Sequence, residues 1–213
     1  QDLADQITRA RYSSVCWLPG GKRFYYSRFP AKGSVPAGEE QYHRSIFEHE
    51  IGRSPDADPQ VFKAKVFTDF PSCAISPNGR WLVMRVHQGW SKSSLLMADT
   101  RQKKLVWKEI TEGKDNVYDP LPLDDLLWVR TNEGAPRYAV YAVDPNQPER
   151  AKWKRVVAEH PEDVLTDFNV IGGEVLVAYT HEVVSRLERF DQAGTSKGSV
   201  DLPTPGNSNG FAG

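Results

Sequence analysis

The run Gly206-Asn207-Ser208-Asn209-Gly210 fits the G-x-S-x-G spacing of a nucleophile elbow. That chemistry needs a strand before the serine, a helix after it, and an aspartate and a histidine later in the chain. Pro203 and Pro205 interrupt the approach, and Phe211, Ala212 and Gly213 are all that follows in this sequence. The run is therefore expected to lead into a strand of a further repeat, and no residue is given a catalytic role. The five histidines are His43, His49, His87, His160 and His181. His43 and His49 are placed on one strand face, where a rise of about 3.3 Å per residue sets them roughly 20 Å apart, too far to share a metal. The runs His49-Glu50-Ile51-Gly52-Arg53 and His181-Glu182-Val183-Val184-Ser185 both lack the second histidine of a zinc-peptidase helix. His181 is expected to order a turn between outer strands. Asp56, Asp58, Asp124 and Asp125 could do acid–base work only in contrasting environments. In turns they read as solvated caps. Cys16 and Cys73 are too few for a disulfide scaffold or a cysteine-ligated zinc. They read as small buried hydrophobes, and they leave cytoplasmic and periplasmic compartments both open. No metal or cofactor is expected.

The aromatic residues carry a different message. Trp17, Trp81, Trp107, Trp128 and Trp153 recur at comparable strand positions and are expected to pack between sheet faces. Trp90 differs, because it follows Gly89 in a loop, where side chains more often meet solvent or ligand.

The elements that must position these residues follow from composition and repetition. A chain of 213 residues with 39% apolar and 26% charged residues can build its own core and is not a disordered segment. Lys+Arg 27 against Asp+Glu 28 leaves a net charge of -1. That balance speaks against a dedicated nucleic-acid binder or a polybasic membrane surface. No apolar run approaches the roughly 20 residues of a membrane-spanning helix. Gln1 reads as an internal start of a larger chain. Abundant aromatics with 16 Gly and 15 Pro favour short strands and tight turns.

A repeat is visible by eye. Cys16-Trp17-Leu18-Pro19-Gly20-Gly21-Lys22-Arg23-Phe24-Tyr25-Tyr26 returns as Ala74-Ile75-Ser76-Pro77-Asn78-Gly79-Arg80-Trp81-Leu82-Val83-Met84, offset by 58 residues from Cys16 to Ala74. Each copy is a strand, a Pro-Gly-Gly or Pro-Asn-Gly turn, and a second strand. Asp124-Asp125 before Leu126 and Gly172-Gly173 before Val175 are weaker copies. Aligning Leu82, Trp128 and Leu176 gives spacings of 46 and 48 residues. Each unit continues into a third and a fourth strand. Third strands end in Asp99, Asp144 and Asp191, whose carboxylates can accept a backbone N–H and start the next turn. Four strands per unit at this period is the signature of β-propeller blades, and a β-sandwich would need no repeat. His160-Pro161-Glu162-Asp163 and the stretch Pro30 to Glu40 read as loops. The fold class is all-β: a partial β-propeller of about four four-stranded antiparallel blades, a fragment of a seven-bladed ring. Approximate blades cover 12–70, 71–115, 116–161 and 162–204, with 205–213 as the first strand of a further blade.

With these residues laid out, the chain resembles the propeller domain of the prolyl oligopeptidase family of serine peptidases. Four stretches carry the likeness. They are Cys16 to Gly21 leading into Phe24 to Pro30; His49-Glu50-Ile51-Gly52 with Asp58; Ile75 to Val83; and Glu162 to Leu165 with Tyr179 to Glu182 and Asn209 to Gly213. The resemblance implies a propeller that caps an α/β-hydrolase domain of the same polypeptide, which holds the Ser-Asp-His triad. The propeller would admit short peptides, cut after proline. This chain would be that propeller's substrate-gating segment, without catalytic activity by itself. One stretch departs from the family, whose members usually carry Gly, a small residue and Asp-Pro after the second Gly-turn hairpin. Gly89-Trp90-Ser91-Lys92 stands there instead. Trp90 replaces a small residue that faces the interdomain cavity, and His87 replaces a basic residue nearby. The resemblance thus implies that Trp90 and His87 face substrate, with Trp90 narrowing the space unless its loop is displaced.

The alternative is a standalone propeller that binds a protein or peptide, since fold does not fix function. A sugar- or lactone-processing propeller would need convergent histidines and carboxylates at inner-strand ends, and no such cluster is visible. An isolated arc of blades would also expose apolar sheet faces, so self-association of the fragment is expected.

Overall fold

The computed structural model describes residues 5–111, 115–202, 204 and 206. Residues 207–213, which carry most of the elbow-like spacing and of the expected further strand, lie outside the described residues.

The described residues form four four-stranded antiparallel sheets. The first runs β1 (Val15–Trp17), β2 (Arg23–Arg28), β3 (Ser45–Glu50) and β4 (Gln60–Lys63) in that order. The second runs β5 (Phe70–Ile75), β6 (Trp81–Gln88), β7 (Lys92–Asp99) and β8 (Lys108–Glu109). The third comprises β9 (Tyr118–Pro122), β10 (Leu127–Thr131), β11 (Ala139–Val143) and β12 (Lys154–Val157). The fourth comprises β13 (Val164–Ile171), β14 (Glu174–His181), β15 (Val184–Asp191) and β16 (Ser196–Val200). Each sheet is a meander of neighbouring strands, as the repeat requires. No helix among the described residues is long and apolar enough to cross a membrane. The chain divides into two compact units, 1–126 and 127–213.

In the first unit, the two-residue period of the strands sorts side chains onto two faces. On β6, Leu82, Met84 and Val86 point one way and Val83, Arg85 and His87 the other. The first set meets the first sheet: Leu82 and Met84 form a buried cluster with Cys16, Tyr25 and Ile46. Trp107 packs on its edge and donates from Nε1 to the Val61 carbonyl at 3.2 Å, so the outer part of the second sheet is pinned to β4.

The repeated hairpin explains itself in hydrogen bonds. Asn78 Oδ1 accepts from Ser76 Oγ at 2.8 Å and from the Arg80 N–H at 2.9 Å. Ser76 Oγ accepts the Trp81 N–H at 2.9 Å, and Asp124 accepts the Asn78 N–H at 2.8 Å. Gly79 sits at φ +73°, and a Cβ there would lie 2.6 Å from Pro19 Cδ of the first repeat. The two copies of the Pro-turn thus pack on one another, and only glycine fits between them.

The Asp residues at third-strand ends act as the sequence suggests. Asp99 accepts the Arg101 N–H at 3.0 Å, Asp144 the Asn146 N–H at 2.8 Å, and Asp191 the Thr195 N–H at 2.8 Å. The tryptophans are less uniform than expected. Trp81 and Trp128 are buried on strands, but Trp17 is 51% exposed. Trp107 and Trp153 lie just outside strands. His43 is not on a strand face with His49. It precedes β3 at φ +55°, stacks on Phe67 with centroids 5.0 Å apart, and bonds Glu39 at 2.5 Å.

Candidate functional site

β6 and β7 meet in a hairpin whose turn contains Gly89, at φ +69°, and Trp90. Glycine carries the left-handed backbone at no steric cost. The tryptophan beside it projects wholly into solvent, at 103% relative exposure. His87, three residues earlier, pairs with Phe70 of β5 and Ser93 of β7. Paired residues in an antiparallel sheet share a face, so Phe70, Ser72, Arg85 and His87 stand together there.

Of these, Phe70, Ser72 and His87 wall a cavity of about 530 Å³. Tyr12 and Ser14, from the segment before β1, and Arg44, before β3, form its other wall. The lining is mainly apolar and aromatic, with Phe70, Pro71, Tyr12 and Trp90, and a few polar groups set among them. That composition is the usual one for a binding cleft.

The electrostatics keep most of those polar groups neutral or already engaged. Burial pushes the His87 imidazole down to about 4, and the nearby Arg85 charge pushes the same way against Asp119. His87 is therefore neutral at pH 7. Arg85 spends its charge on an ion pair with Asp119. Arg44 is buried, and its guanidinium donates to the carbonyls of Tyr12 at 3.0 Å and Arg11 at 3.2 Å. It lies over the Phe29 ring at 4.2 Å and the Phe70 ring at 5.1 Å. Arg44 thus ties the N-terminal segment to both sheets and shapes one side of the cavity.

Ser72 Oγ lies 3.4 Å from His87 Nε2. This is not a hydrolytic pair. The contact is long, and an imidazole titrating near 4 takes a serine proton poorly at neutral pH. The cavity can bind an uncharged chain segment through stacking, apolar contact and hydrogen bonds.

Two other histidine clusters are structural. His49 is fully buried and its Nδ1 lies 3.0 Å from both Asp58 carboxylate oxygens. Tyr26 donates to Asp58 at 2.8 Å. Asp58 is therefore no solvated cap. It satisfies the centre of the first sheet, and the carboxylate of Asp5 approaches the far side of His49 at 3.9 Å. In the second unit, His181 Nδ1 bonds the Asp163 carboxylate at 2.6 Å, and Arg186 reaches the same carboxylate at 3.1 Å. His160 Nδ1 accepts the Asp163 N–H at 2.8 Å. His181 thus ties the β14–β15 hairpin to the segment leading into β13. Among the described residues, no group of three or more His, Cys, Asp or Glu side chains could hold a metal ion.

The structure brings His87 and Trp90 to one cavity. Sequence reasoning missed Tyr12, Ser14, Arg44, Phe70 and Ser72 of the same walls. Strand register offers a signal for Phe70 and Ser72, which face His87 and Arg85 across β5 and β6. Nothing local marks Arg44, because its hydrogen bonds go to residues more than thirty positions away and its ring contacts to Phe29 and Phe70 on other segments.

Comparison with known proteins agrees with this architecture. The model of the prolyl oligopeptidase N-terminal β-propeller domain matches residues 1–213. The chain is similar to prolyl oligopeptidase A of Amanita bisporigera, 27% identical over 206 residues that cover 91% of this chain and 27% of that protein. It is similar to the prolyl endopeptidase of Elizabethkingia meningoseptica, 25% identical over 216 residues that cover 100% of this chain and 30% of that one. A solved structure from a mechanistic study of two prolyl endopeptidases superposes with a TM-score of 0.87 at 28% identity, covering 93% of this chain and 29% of that one. The chain spans less than a third of the length of these relatives. The chain belongs to the N-terminal β-propeller domain family of prolyl oligopeptidases.

Proposed function

We propose that this chain is the substrate-gating part of a prolyl oligopeptidase-like serine endopeptidase that cleaves short peptides after proline. An α/β-hydrolase domain of the same polypeptide supplies the nucleophile, base and oxyanion hole. The four sheets are read as blades over 12–70, 71–115, 116–161 and 162–204. They contribute exclusion and docking, not bond breaking. The observation that carries this reading is the β6–β7 hairpin, where an exposed Trp90 and a neutral His87 border an aromatic cavity. Walls that are mainly apolar and aromatic, with the Arg44 guanidinium already bonded to carbonyls, suit an extended peptide without charge, and an exposed tryptophan rim can limit its bulk. The role of inter-domain dynamics in catalysis and specificity, the subject of the related prolyl endopeptidase structure, fits a gate of this kind.

The test is a cleavage assay of the full-length protein on proline-containing peptides of graded length, beside a folded protein substrate. Cleavage after proline in the short peptides alone is the expected result. No cleavage of any peptide, with saturable binding retained, would replace the peptidase by a peptide-binding module.

A further inference from the structure

Cys16 on β1 and Cys73 on β5 belong to adjacent sheets and stand 57 positions apart in sequence. Their sulfur atoms lie 2.7 Å apart, and both are free thiols. Two sulfurs not bonded to each other ordinarily rest well beyond 3 Å, and a disulfide closes them to about 2 Å. The two side chains are therefore already aimed at one another across the gap between sheets. Neither the fold's core nor the proposed peptide site needs two thiols here, since small apolar residues would fill the same space.

The surroundings divide the labour between them. Cys16 is buried in the cluster with Tyr25, Ile46, Leu82 and Met84. Cys73 is partly exposed and lies beside Ser14, whose Oγ accepts the Cys73 N–H at 3.2 Å and sits 3.8 Å from its sulfur. Ser14 also lines the His87–Trp90 cavity, so one side chain stands between Cys73 and that cavity's wall. The Cys16 S–H donates to the Cys73 sulfur, which holds the Cys73 thiol below its ordinary range against the opposing effect of burial. The same hydrogen bond, with burial, pushes Cys16 up. Cys73 is thus the thiol to ionise first, with Cys16 behind it as the resolving thiol.

We propose that Cys16 and Cys73 form a peroxide-oxidisable dithiol, closing to a disulfide that clasps the first sheet to the second. The Cys73 thiolate attacks one oxygen of the peroxide and breaks the O–O bond. The sulfur becomes a sulfenic acid, and the released hydroxide takes up the proton that Cys73 lost, forming water. Cys16 sulfur then attacks the Cys73 sulfur and displaces its hydroxyl, which leaves as a second water with the Cys16 proton. Two thiols are oxidised and one peroxide is reduced to two waters. The product fixes β1 against β5, beneath the wall of the cavity that carries Ser14.

The experiment treats the folded full-length protein with hydrogen peroxide, alkylates the remaining thiols, and maps peptides without reduction. The expected product is a cross-linked pair of peptides carrying Cys16 and Cys73, lighter than the two separate peptides by two hydrogens and lost on reduction. Peroxide added after denaturation in guanidinium should give far less of this pair. A Cys16→Ala variant should stop at the sulfenic acid or higher oxides of Cys73. Full alkylation of both thiols after peroxide treatment of the folded protein would overturn the proposal. So would oxidation of Cys73 to the sulfinic acid in the unaltered protein with Cys16 still free.

Discussion

Two hairpins hold a histidine at the same structural place and treat it in opposite ways. His87 lies near the end of β6 and His181 at the end of β14, each the second strand of its sheet. The Asp119 carboxylate favours the charged form of His87, but burial and the Arg85 charge outweigh it. His87 is half-buried on an aromatic wall beside a like charge, and its imidazole is held neutral. His181 bonds the buried Asp163 carboxylate, and that bond raises its pKa. The turns differ too. The first uses Gly89 at φ +69°; the second puts Glu182 and Val183 at φ +43° and +68°. The first hairpin borders an open cavity, and the second is closed by a charge cluster. A repeated framework therefore frees one loop for binding while locking its counterpart, and the neighbours of one histidine decide which.

The largest expected effect comes from opening the locked hairpin. Burial raises the Asp163 carboxyl, but the His181 hydrogen bond and the Arg186 charge outweigh it and hold it below the usual range. Asp163→Asn should cost about 2 kcal/mol in denaturant unfolding, less than a fully buried pair because Arg186 keeps contact with water. A cost near zero would mean the cluster locks nothing.

The turn of that hairpin should respond in the other direction. A β-branched residue at φ +68° is strained. Val183→Gly is expected to stabilise by roughly 0.5–1 kcal/mol, after the entropy that glycine loses on folding. Equilibrium unfolding of the two proteins decides it, and a destabilised variant would contradict the strained turn.

The histidines should also separate by pH. His87 titrates near 4 when folded, below the value of about 6.5 for a free imidazole. Its contribution is complete above about pH 6.5 and is lost as pH falls from there toward 4, because the unfolded chain takes up the proton first. His181 is raised by Asp163. Its contribution is complete below about pH 6.5 and is lost as pH rises through the raised value. Imidazole NMR titration of both should show the His87 midpoint below and the His181 midpoint above the free value. Equal midpoints would erase the contrast between the hairpins.

The smallest effect on stability belongs to Trp90. Its side chain is wholly exposed, so Trp90→Ala should change unfolding free energy by no more than about 0.5 kcal/mol. A larger loss would make Trp90 part of the core and not of the rim.

Much of the framework was legible because its signals are local. The Ser76-Pro77-Asn78-Gly79 turn carries its own hydrogen-bond donors and acceptors, and Asp99, Asp144 and Asp191 each bond a backbone N–H two or four residues on. Trp90 was legible as a loop tryptophan for the same reason. Contacts between sheets were not. Asp58 looks like a turn residue in the sequence, yet it satisfies His49 and Tyr26 from other strands. The Cys16–Cys73 contact depends on how β1 meets β5, which no spacing along the chain encodes. His43 misled because the left-handed φ that takes it off the strand has no glycine or asparagine to announce it.

The most direct measurement of the central claim compares the full-length protein with its Trp90→Ala variant on proline peptides that differ only in bulk and length N-terminal to the proline. Bulkier peptides should gain in kcat/KM in the variant while the smallest one changes little. Identical kcat/KM ratios across the series in both proteins would contradict a gate at the β6–β7 hairpin.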